Sequence, residues 1–127
     1  MFGIYKDDTV GIAPIERLPA TASEAYVYGE ALKITAGKAT KASGTDAPSY
    51  ICAGKVDADS GDVPAIRVAK SQVFKTELSA AGTALNIGDK VTLATDGLRV
   101  TATTTSGVAE IVGFDGKASG DTVYVRF

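Results

Sequence analysis

The chain has 127 residues, 45% of them hydrophobic and 22% charged, with a net charge of −2; this fits one domain with a modest core and argues against disorder. It has no histidine, no tryptophan and a single cysteine, Cys52, which removes histidine-dependent triads, the commonest metal ligand and any intrachain disulfide. The scattered lysines and arginines predict no nucleic-acid and no membrane partner, no stretch reaches the ~20 apolar residues of a transmembrane helix, and the N-terminus lacks the charged-then-apolar pattern of a signal peptide.

The first 23 residues differ from the rest. Ile4, Tyr5, Val10, Ile12 and Ile15 are interrupted by Asp7-Asp8, Pro14 and Pro19, and proline does not suit a central strand. Residues 1–23 are therefore expected to form an extended N-terminal arm, and residues 24–127 a β-rich domain. Two readings of the arm stand: it lies on a neighbouring subunit, or it is an edge segment packed on its own domain.

Along the domain, short strands are expected at Ala25–Tyr28, Ala31–Thr35, Ser49–Ala53, Ala65–Ala69 and Gln72–Glu77. Ala36–Pro48 reads as a polar loop. Ser79–Ala84 could form one helical turn, which Gly82 keeps short. Val91 and Leu93 alternate with Thr92. Leu98, Val100 and Ala102 alternate with Arg99, Thr101 and Thr103, and Asp96-Gly97 between the two runs supplies a hairpin turn. Val108–Phe114 is a more apolar strand. Thr122–Phe127 ends the chain in strict alternation, with Val123, Val125 and Phe127 on one face. Gly88-Asp89 and Gly120-Asp121 each feed an alternating strand, which is turn chemistry and not a repeat. The class is all-β, a small barrel or sandwich.

No stretch carries a catalytic signature. Asp57-Ala58-Asp59-Ser60-Gly61-Asp62 has the alternating carboxylates of a calcium loop, but Gly61 is one place early and Val68 stands where the bidentate glutamate belongs. A solvated acidic turn is the better reading, with no metal expected. Gly37-Lys38, Gly54-Lys55 and Gly116-Lys117 lack the spacing of a phosphate loop. Cys52 lies in the apolar Tyr50-Ile51-Cys52-Ala53, the place of a packing thiol. Glu16, Glu24, Glu30, Glu77 and Glu110 lie mostly among polar or small residues and suggest no acid–base pair. Tyr26 and Tyr28 would share one strand face, either as a surface contact or as part of a half-buried sheet. The chain is expected not to be an enzyme and to need no cofactor.

One long segment carries a resemblance. Tyr28-Gly29-Glu30-Ala31-Leu32-Lys33-Ile34-Thr35-Ala36-Gly37-Lys38 runs through Ala39-Thr40-Lys41-Ala42-Ser43 into Gly44-Thr45-Asp46-Ala47-Pro48-Ser49-Tyr50-Ile51. An early Gly-x-x-Leu, a Gly-rich turn, a Gly-Thr-x-x-Pro loop and a short apolar strand follow one another. With the later Gly-Asp-x-Val and the terminal Val-x-Val-x-Phe, this resembles small head proteins of tailed bacteriophages, including capsid decoration proteins. The resemblance covers about four-fifths of the chain loosely, through turn motifs. It implies a β-rich fold with an N-terminal arm, often trimeric, that binds the major capsid protein lattice from outside and reinforces it. The protein would then sit on the virion surface after assembly in the host cytoplasm. The arm would supply the capsid contacts, through Phe2, Ile4, Tyr5, Val10, Ile12 and Ile15, and no catalytic residue carries over. The sequence departs from that pattern in one respect: a more apolar arm replaces the short Ala/Thr/Pro-rich leader of some decoration proteins. Two other classes remain, a tail or head–tail connector component and a carbohydrate or cell-surface binding module.

Overall fold

A computed structural model of the chain describes residues 1–8 and 13–127. Ten strands follow in order: β1 (Gly3–Asp7), β2 (Ile15–Leu18), β3 (Ala31–Thr35), β4 (Lys38–Lys41), β5 (Tyr50–Cys52), β6 (Val63–Arg67), β7 (Gln72–Glu77), β8 (Lys90–Val91), β9 (Ala109–Phe114) and β10 (Thr122–Arg126). They form two five-stranded antiparallel sheets, the first in the order β1-β7-β10-β9-β8 and the second in the order β2-β6-β5-β3-β4. The fold is an all-β sandwich and not a closed barrel. No helix occurs among the described residues, so the expected turn at Ser79–Ala84 does not form; Leu85 N–H instead bonds Gly82 O in an isolated turn.

Alternation sets which side chains enter the core. Phe74 on β7, Ile111 on β9, and Val123 and Val125 on β10 meet Ala31 and Ile51 of the second sheet between the layers. Each such fully buried aliphatic or aromatic side chain contributes about 1.5–3 kcal/mol relative to leaving it in water. A second cluster lies on the far side of the second sheet. There Leu32, Tyr50, Cys52, Val63 and Ala65 are capped by Tyr26, with Leu18, Ala20 and Val56 packed around them. The second sheet is thus covered on both faces.

Within the single chain, the segment read as an arm pairs with the domain itself. β1 pairs antiparallel with β7, and β2 pairs with β6. Each is an outermost strand of its sheet, which is where the flanking Pro14 and Pro19 can be tolerated. Burying Phe2, which is 1% exposed, outweighs keeping the segment free.

The edges of the two sheets are treated differently on the two sides. Gly44 and Leu93 exchange two backbone hydrogen bonds, at 3.0 and 2.8 Å, and so join the β4 side of one sheet to the β8 side of the other. β1 and β2 are the opposite edges, so both N-terminal strands flank the other side of the sandwich.

Three local expectations differ from the structure. Ala25–Tyr28 is not a strand; it makes one bridge, Tyr26 to Val56. The loop Ala36–Pro48 contains β4, turned back on β3 by Ala36 and Gly37 at φ 51° and 77°. The Asp96-Gly97 hairpin closes through a wider loop, with Ala94 N–H bonded to Arg99 O and Leu93 bridged to Val100. Asp96 shapes that loop by accepting from Leu98 N–H and from Arg99 Nε.

Candidate interaction surface

Among the described residues, no segment covers the outer face of the first sheet, unlike that of the second. Its relief begins at β1. The pairing with β7 runs Ile4 to Phe74 and then Lys6 to Val73, so Tyr5 is an extra residue in a β-bulge. A bulge re-aims side chains, and here Tyr5 and Lys6 both border the same depression over Val73. Tyr5 reaches across β7 to Tyr124 on β10, with ring centres 4.6 Å apart. Val73 lies outside both apolar clusters and is still only 1% exposed, and it lines the same depression as the two rings. The depression holds about 310 Å³ and continues past Val112 to Asp115. Tyr124 Oη donates to Asp115 at 3.0 Å, and this bond to the carboxylate pushes the phenol upward from its ordinary value.

A second hollow, of about 500 Å³, lies along β7 and the start of β1. Met1, Ile4 and Tyr28 form its apolar rim, and Lys75, Glu77 and Thr122 its polar floor. Met1, Ile4, Tyr5 and Tyr28 are all exposed large hydrophobics. Scattered single exposures are ordinary on any surface, whereas contiguous ones mark contact sites. One end of the surface is held by charge. Arg126 donates to Asp8 at 2.6 Å and to Lys70 O at 2.7 Å. The Arg126 hydrogen bond holds the Asp8 carboxyl below the usual carboxylate range.

The predicted contact residues divide. Ile4 and Tyr5 lie on this surface. Ile15 is 62% exposed on β2, at the edge of the other sheet. Val10 and Ile12 lie outside the described residues. Phe2 is a correction: it is a core residue packed on Phe127 and is not part of the exposed surface. Tyr26 and Tyr28 do not share a face. Tyr26 is wholly buried, accepting Thr21 N–H and donating to Ala39 O, while Tyr28 faces solvent. Sequence reasoning placed Tyr124 on the non-core face of its strand but did not mark it as a site. Its partner Tyr5 lies 119 positions away, and no local pattern connects them.

The acidic turn offers no cage. Asp59 accepts Ser23 N–H and Asp57 faces Lys55, and among the described residues no three His, Cys, Asp or Glu side chains converge on a metal position. Cys52 is buried, its Sγ donates to Gly54 O, and burial pushes the thiol up, away from the reactive thiolate.

No family model matches the chain, and no curated protein matches it in sequence.

Proposed function

We propose that this chain is a structural protein of a tailed-bacteriophage head, a decoration protein that binds the major capsid protein lattice from outside and stabilises it. The observation that carries this reading is the outer face of the first sheet, which no described segment covers, with its Tyr5–Tyr124 pair and apolar rim, set against a second sheet covered on both sides. Tyrosine pairs give large, rigid contact area with a polar tip, the composition favoured at protein–protein interfaces. A capsid offers many copies of one site, so a modest contact repeated over a symmetric oligomer gains by multivalency. A trimer is the assembly this reading favours, and neither nucleic acid nor membrane enters it.

The test is co-sedimentation of the full-length protein with mature heads of the phage that encodes it. Saturable binding is expected. Tyr5→Asp, which sets a charge on the bulge without touching the core, should weaken it at least tenfold while the thermal midpoint stays within a few degrees. Failure of the native protein to bind heads would overturn the proposal. A hexameric ring at the head–tail joint would point to the connector reading, and saturable binding to a glycan to the surface-binding one.

A further inference from the structure

β1 is fastened to the body as a tooth sits in a socket. Among the described residues its strand partner is β7. At its start Phe2 enters the core, edge-on to Phe127 with ring centres 5.5 Å apart, and its N–H donates to Gly29 O at 2.9 Å. Gly29 is shaped for this approach: φ is +80°, and a Cβ there would lie 2.6 Å from Met1 Cβ and 3.1 Å from Phe2 O. At the other end Asp8 N–H donates to Ser71 O, and the Asp8 carboxylate takes Arg126. Apart from Lys6, which lies 3.7 Å from Asp8 within the segment itself, these partners lie at residue 29 or beyond. The groups named here that receive the segment are thus supplied by the rest of the chain.

A second copy of the chain carries the same segment and can make the same bonds in the same socket. Closed and exchanged forms then have the same contacts, and concentration and chain reach decide between them; this is why exchange of an identical element is a low-cost route to assembly. From Asp8 to Ile15 the chain takes seven steps, about 24 Å at full extension, which restricts exchange to abutting copies.

We propose that β1, with Phe2 as its anchor, is exchanged between neighbouring copies of this chain in the assembled protein. The partner is a second copy, held through β7 and the Phe74–Phe127–Gly29 socket. This does not depend on what the assembled protein coats, so it can fail or hold independently of the capsid reading.

Gly3 and Lys75 face each other across the ladder, and a Cβ at Gly3 would meet nothing within 4 Å. Directly opposed Cα atoms lie about 4.5–5.5 Å apart, within disulfide range. The experiment oxidises the full-length Gly3→Cys/Lys75→Cys protein in dilute and in concentrated solution, then runs non-reducing electrophoresis beside sedimentation of the same samples. Buried Cys52 stays out of the reaction. Expected are a monomeric band from the dilute protein and an interchain-linked ladder from the oligomer. An oligomer linked only within chains would overturn the proposal, as would a protein that stays monomeric at millimolar concentration. Should the disulfide not form, a nitroxide at Gly3→Cys in unlabelled copies, mixed with isotope-labelled native chain, gives a second measurement. Exchange broadens the amide resonances around Lys75 in the labelled copy, and an oligomer without that broadening also sinks the idea.

Discussion

Glu30 shows how a single residue ties the outer turns to the core. It is 2% exposed, yet it is a carboxylate. Its Oε1 lies 3.2 Å from Lys41 Nζ, and its Oε2 accepts Val27 N–H. Its backbone is also engaged, with O accepting Cys52 N–H and N donating to Val27 O. A buried charge costs several kcal/mol unless it is paired, so removing its partner is worse than removing both groups. Lys41→Met keeps the aliphatic stem that packs beside Gly97 but leaves Glu30 with one backbone donor. We expect a loss of about 1–3 kcal/mol in urea unfolding, below the ~3–5 kcal/mol of a fully buried pair because Lys41 is partly exposed. The double change Glu30→Leu/Lys41→Met should recover most of that loss. If Lys41→Met proves neutral, the pair contributes nothing net and solvent already screens Glu30.

At the scale of elements, strands with internal alternation were legible and strands made by their turns were not. Ala31–Thr35 and Gln72–Glu77 have the bounds their patterns predict, and Val108–Phe114 and Thr122–Phe127 differ from β9 and β10 by one terminal residue. Their apolar residues face one core, so pattern and packing agree. β4 escaped notice because Lys-Ala-Thr-Lys has a single apolar residue and its turn lacks the Asn-Gly or Asp-Gly that advertises a type I′ hairpin. Ala36 adopts φ 51° there without a side chain suited to it. Ala36→Asn should therefore stabilise the protein by about 0.5–1 kcal/mol, seen as a higher urea midpoint with an unchanged slope. A drop instead would mean that Ala36 makes a contact which outweighs its backbone strain. The candidate surface was legible only in part, for a related reason. Alternation gave the outward direction of Tyr124, but the Tyr5–Tyr124 contact needs β1 docked on β7 and a bulge at Tyr5, and both are tertiary facts.

For the molecule as a whole, the first 23 residues supply one edge strand to each sheet, on the side opposite the Gly44–Leu93 closure. Removing them does more than trim a tail. It takes Phe2 from Phe74 and Phe127, which alone costs about 3–5 kcal/mol on the scale of aromatic core truncations. It also strips the ladder partners of β7 and β6 and removes Leu18 and Ala20 from the second cluster. Domain stabilities are commonly 5–15 kcal/mol, so a chain starting at residue 24 should lose cooperative unfolding and bind a hydrophobic dye at neutral pH. Loss of head binding by such a truncation would then report unfolding and say nothing about where the contact lies. Substitutions at exposed positions separate the two. Tyr5→Asp and Ile15→Ser leave both ladders and the Phe2 socket intact, and each should keep the cooperative transition of the native chain. A truncated chain that unfolds cooperatively within a few degrees of the full-length protein would contradict this assignment, because residues 1–23 would then be an appendage after all.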